Sequence, residues 1–138
     1  MIDCEFELFT IVATALRTSF PGIYVTGEYV RTPAKFPCVS IEERDNGVWR
    51  NGRSNDNYEN YSAVMYEINV YSNKQTGKKA ESKAIMEAAD TVMKNLGFTR
   101  TMLSPTPNLA DATIYRLTGR YSGIVHKDSS DNFTIYKR

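Results

Sequence analysis

The stretch from Tyr61 to Ser72 restricts the fold more than any other part of the chain. Val64, Tyr66, Ile68 and Val70 alternate there with Ala63, Met65, Glu67, Asn69 and Tyr71. In an extended backbone this alternation puts an apolar set on one face and a mixed set on the other, which predicts a long central strand. Such a strand needs a core against its apolar face and pairing neighbours along its edges. The chain supplies part of that core directly afterwards. Asn73 to Gly77 reads as a turn, and Ile85, Ala88, Ala89, Val92, Met93 and Leu96 then recur at helical spacing. These residues predict a helix from about Gly77 to Leu96, with Gly97 as its stop signal.

Upstream, Ile2, Phe6, Phe9, Ala13, Leu16 and Phe20 are spaced four and three residues apart, which predicts a helix over about residues 2–19 with these six on its core stripe. Pro21-Gly22 stops it. Ile23 to Val30 then reads as a strand in which Gly27 marks a bulge, and Phe36 to Arg44 as a second strand with Pro37 near its start. Asp45 to Asn60 is rich in Asn and Gly and lacks periodicity, which predicts a long flexible loop at about residues 45–60. Downstream of the second helix, Phe98 to Leu103 reads as a strand and Ser104 to Asn108 as a rigid connection. Thr113 to His126 reads as a long strand, with Tyr115, Leu117, Tyr121 and Val125 on its core face and Arg116, Thr118 and Arg120 on the other. Phe133 to Tyr136 reads as a short last strand.

The order is therefore α-β-β-β-α-β-β, with a possible terminal strand. Regular βαβ alternation is missing, which argues against a doubly wound parallel sheet. The expected class is α+β, a mainly antiparallel sheet with two amphipathic helices packed on one face. The second face, rich in Tyr, Arg and Ser, is then either wet or open to a partner. A chain of 138 residues fits one domain at about 150 residues per domain.

Charge and targeting signals narrow the function classes. Seventeen Lys and Arg against 16 Asp and Glu leave a net charge of +1, far from the basic excess of a dedicated nucleic-acid binder. The acidic start, Met1 to Glu7, lacks the basic and apolar regions of a signal peptide, and no apolar run is long enough to cross a membrane. Cys4 and Cys38 fall outside any metal-binding spacing and read as reduced packing residues.

Motifs for catalysis are missing as well. His126 is the single histidine, without a nucleophile or metal-ligand motif, and reads as a surface residue. Thr76-Gly77-Lys78-Lys79 resembles the end of a phosphate loop, but position 72, where that loop needs its first glycine, is Ser. No catalytic residue, cofactor or metal is expected. Tyr115-Arg116 and Arg120-Tyr121 place aromatic and basic groups on one strand, as stacking sheets do, yet alternation sends them to opposite faces. Within the long loop, Trp49, Arg50, Arg53 and Tyr58 form the candidate partner contact, because Trp, Tyr and Arg are enriched in interfaces.

One resemblance unites these readings. Tyr66 to Asn73, Gly77-Lys78-Lys79, Leu96-Gly97-Phe98, Pro107 to Arg116 and Arg120-Tyr121 together resemble the tail terminator and tail completion proteins of long-tailed bacteriophages and prophages, over about residues 64–125. The resemblance implies a small non-enzymatic α/β protein that forms a hexameric ring at the head-proximal end of the tail, within the virion. There it ends growth of the tail tube, with the tail tube protein below, the neck or head-completion protein above, and DNA passing through without specific binding. It further implies that the loop after the second strand orders on assembly. Asp45 to Asn60 and the last strand are accordingly expected to contact other subunits or the tube.

Two other function classes fit the same composition. Another neck component, such as a head-closure or adaptor protein, shares size and lack of chemistry. A small nucleic-acid-binding module built on the Tyr and Arg strand with Trp49 predicts affinity that falls steeply with salt.

Overall fold

The structure, a computed structural model, describes residues 1–49, 61–108, 111–127 and 133–135. Its elements are α1 (Glu5–Ser19), β1 (Tyr24–Thr26), β2 (Cys38–Val48), β3 (Ser62–Ser72), α2 (Lys78–Leu96), β4 (Thr99–Pro105), β5 (Tyr115–Lys127) and β6 (Phe133–Ile135). The α+β class and the element order agree with the sequence reading. The strands lie in the order β1-β2-β3-β5-β4, with β6 paired to β5. The sheet is mixed: β1 runs parallel to β2, and every other pair is antiparallel. Val125 pairs with Ser62 on one side and with Ile135 on the other, so β6 lies along the same edge of β5 as β4.

The central position of β3 follows from its alternation. Val70, Ile68, Tyr66 and Val64 pair with Leu117, Gly119, Tyr121 and Gly123 of β5, and Val70 and Ile68 also pair with Val39 and Ile41 of β2. These apolar positions join one hydrophobic cluster with Leu8, Val12, Ala13 and Leu16 of α1 and Ile85, Met86, Ala89 and Met93 of α2. Two left-handed glycines bracket α2, Gly77 at φ 86° and Gly97 at φ 104°. At the second, the Gly97 and Phe98 amides donate to the Lys94 and Met93 carbonyls, each at 3.0 Å, closing the helix end.

The structure corrects the sequence reading at several places. Phe6 is not on the core stripe; it is 77% exposed, because Leu8, Val12 and Leu16 define the buried line and Phe6 lies about 160° round the helix from Leu8. The first strand spans only Tyr24–Thr26 and ends before Gly27, which therefore marks no bulge in it. The second strand runs past Arg44. Asp45 to Val48, expected in the loop, pair with Met65 to Ser62, and a register shift between Glu43 and Asp45 lets the ladder continue. The rest of that expected loop, residues 50–60, lies outside the described residues. Similarly, β4 carries on through Ser104 and Pro105, where a rigid connection was expected.

Close packing of α2's end against β5 depends on a missing side chain. A Cβ on Gly123 would come within 2.7 Å of Cδ1 of Phe98, whose ring is buried and stands edge-on to Tyr66 at 5.7 Å. Gly123→Ala is therefore expected to destabilise the fold by about 2 kcal/mol through overpacking. The check is a denaturant midpoint that falls while the slope stays constant.

Candidate functional site

The face of the sheet opposite the apolar set carries most of the organised polar chemistry. Tyr71, Asn69 and Glu67 of β3 pair there with Arg116, Thr118 and Arg120 of β5, and with Cys38, Ser40 and Glu42 of β2. The Glu67 carboxylate accepts from Arg120 Nε at 3.1 Å and from Asn69 Nδ2 at 3.0 Å, and Arg116 Nη2 lies 4.0 Å away. Asn69 Oδ1 accepts from Arg116 Nε at 3.0 Å and from the Thr118 hydroxyl at 2.6 Å. That hydroxyl spends its proton on Asn69, so Thr106, 2.8 Å away, is the donor to Thr118. The Arg116 guanidinium also stands 5.7 Å from the Tyr71 ring centre.

Of the two readings of this face, wet or open to a partner, neither describes its middle, which is buried within the chain. Glu67 is 5% exposed, Asn69 1% and Thr118 2%. Part of the cover comes from the chain between β1 and β2: Val30 and Phe36 pack on Cys38, Tyr71 and Ile114, and the Tyr71 hydroxyl donates to the Val30 carbonyl at 3.1 Å. Burial pushes the Glu67 carboxyl up. The bonds from Asn69 and Arg120 and the charges of Arg44 and Arg120 outweigh it, and hold the group below its ordinary pKa. Chemically the cluster is a connected network: its arginines are held by an internal carboxylate and an amide, with the Arg120 side chain still 43% exposed.

The sequence-predicted contact residues divide. Trp49 sits just beyond β2, its amide donating to the Tyr61 carbonyl at 3.0 Å and its ring edge-on to Tyr61 at 5.7 Å. Tyr61 in turn lies 5.2 Å from the His126 ring, so the single histidine is drawn into an aromatic group at the end of the sheet. Trp49 also borders a groove of about 640 Å³ that Asp45, Met65, Lys94, Phe98 and Ile124 help to line. Arg50, Arg53 and Tyr58 lie outside the described residues.

A second polar group was missed by pattern reading, since its members are far apart in the chain. Carboxylate oxygens of Asp3, Glu5 and Glu43 lie within 4.8 Å of one another, a spacing that suits a cation. All three already have protein partners: Asp3 Oδ1 accepts from the Glu5 amide at 3.1 Å. Glu5 accepts from the Glu43 amide at 2.8 Å, and Glu43 accepts from the Tyr66 hydroxyl at 3.0 Å. Burial raises the Glu43 carboxyl above its ordinary pKa, against the bonds from Tyr66 and Asn46. Asn46 Nδ2 also donates to the Ile2 carbonyl at 2.8 Å, so the cluster ties the chain's first residues to the register shift in β2. Both cysteines are buried and outside any disulfide, and burial pushes the Cys38 thiol up to about 11, which makes it a packing residue rather than a nucleophile.

No protein-family model matches this chain, and no curated protein is similar to it.

The network predicts a specific pH dependence. Because Glu67 has a depressed folded pKa, its stabilisation is fully present above the unfolded value of about 4.3 and is lost as pH falls through the folded value. Glu67→Gln is expected to cost about 2 kcal/mol at pH 7. Denaturation at a series of pH values should show a constant gap between the two proteins down to about pH 5, closing below about pH 4.

Proposed function

We propose that this chain is a structural protein of a phage virion, forming a ring at the head-proximal end of the tail that ends tube growth and joins the tail to the neck. The observation that carries the reading is the resemblance of residues 64–125 to tail terminator and tail completion proteins. The resembling pieces fall on β3, the turn before α2, the end of α2, the connection from β4 to β5 and β5 itself. The reading needs surfaces and no reactive centre. A ring of identical subunits uses heterologous contacts whose rotation closes, and a hexamer is the ring size the resemblance implies.

Duplex DNA passing such a ring should meet no tight grip. The pairing of Arg116 and Arg120 with Glu67 fits that requirement, since arginines already engaged by an internal carboxylate make weaker phosphate contacts. No helix among the described residues is long and apolar enough to cross a membrane.

The test is electron microscopy of particles made by a phage or prophage lacking this gene. Abnormally long tail tubes beside unjoined heads are the expected outcome. Tails of normal length that fail to attach would instead make the chain another neck component. Intact particles, together with DNA binding by the purified chain that weakens steeply with salt, would overturn the structural reading in favour of a nucleic-acid module.

A further inference from the structure

The sheet ends in two edges that are unlike in sequence, similar in length and opposite in sense. On one side β1 pairs only with Cys38 to Ser40, so the outer edge of Ile41–Val48 has no strand partner among the described residues. On the other side the seven residues of β4, Thr99–Pro105, have β5 on their inner edge and no strand on the outer one among the described residues. An exposed edge of this length offers unpaired amides and carbonyls to another strand. Along the order β2-β3-β5-β4 each neighbour is antiparallel, so β4 runs opposite to β2.

From these edges we infer that copies of this chain associate by edge pairing, the outer edge of β4 in one copy adding antiparallel to Ile41–Val48 of the next. The inference deepens the ring reading above and rests on it in requiring that copies associate. Because the two edges are different surfaces, the contact is heterologous, the type that builds rings. Val48 and Leu103 are among the exposed large apolar residues, 50% and 45% exposed, one on each edge. Val48 pairs with Ser62 and Leu103 with Gly119, positions in phase with the apolar faces of β3 and β5. Both therefore project from the same side of the sheet, as a sheet continued from copy to copy requires.

Register follows from keeping each face continuous across the contact. Both edges carry a shift, at Arg44 in β2 and at Thr101 in β4. Setting Val48 opposite Arg100, Gly47 opposite Met102, Asn46 opposite Leu103 and Glu43 opposite Pro105 matches faces on either side of both shifts. In the isolated chain Glu5 holds the Glu43 amide at 2.8 Å, so one donor of this edge is guarded by a side chain that must swing aside for full pairing.

The test uses the full chain carrying Gly47→Cys and Met102→Cys together. A Cβ at Gly47 meets no atom within 4 Å, so the substitution is accommodated, and the native Cys4 and Cys38 are buried. Mild oxidation is expected to give a ladder of covalent oligomers ending at one closed size, while either single variant stops at dimers or below. Leu103→Lys is expected to weaken self-association at least about tenfold in light scattering while leaving the circular dichroism spectrum unchanged. Oligomers that form but neither cross-link nor respond to Leu103→Lys would overturn edge pairing and leave the ring reading standing. A chain that stays monomeric at every concentration would also overturn it, whereas loss of the ring reading itself is decided by particle morphology in the gene-deletion experiment.

Discussion

Every part of this fold takes its register from the double pairing of β3. It is bonded to β2 along one edge and to β5 along the other over nearly its whole length, and from Tyr66 to Ser72 both its faces are buried. A slip by one residue would bring Glu67 and Asn69 into the apolar cluster and turn Ile68 and Val70 onto the polar network. The two faces therefore exclude alternative registers together. The apolar face does so by area, and the other by a set of hydrogen bonds that closes only when Asn69 lies opposite Thr118 and Glu67 opposite Arg120.

Two buried tyrosines add to this fixing from the apolar side. Tyr66 donates to Glu43, and Tyr121 donates to Asp90 at 2.9 Å, so each phenol pins a carboxylate of a neighbouring element to the core. Burial and the adjacent carboxylates raise both hydroxyls above their ordinary pKa. Asp90 also bridges to Arg100 at 3.0 Å, which links α2, β4 and β5 through one side chain.

Much of this was legible beforehand because period-two and helical spacing report burial directly. The faces of β3 and β5 and the span of α2 came through in that way. Phe6 did not, since the spacing read it onto the stripe with Ala13 and Leu16, whereas tertiary packing buries Leu8 and Val12 with those two instead. The far half of β2 was hidden because Asp45, Asn46 and Gly47 have poor strand propensity, and the pairing of β3 overrides it. Of the candidate contacts only Trp49 is placed, against Tyr61. The polar network escaped notice as a unit because alternation assigns a residue to a face without telling which cross-strand neighbour it meets. The groups around Glu67 and around Glu43 both join residues tens of positions apart, a separation that local pattern does not bridge.

The insertion of β5 between β3 and β4 bears on how the chain is made. The strand that completes the middle of the sheet comes late in synthesis, after α2 and β4 have already emerged. Until residue 125 clears the ribosome, β3 lacks one full edge and the apolar cluster lacks Leu117, Tyr121 and Val125. Closing the sheet thus waits for β5 and proceeds through contacts of long sequence separation that form slowly. For a protein read as adding to itself through strand edges, this timing means that the β4 edge acquires its shape only when β5 has docked. Incomplete chains then lack that edge.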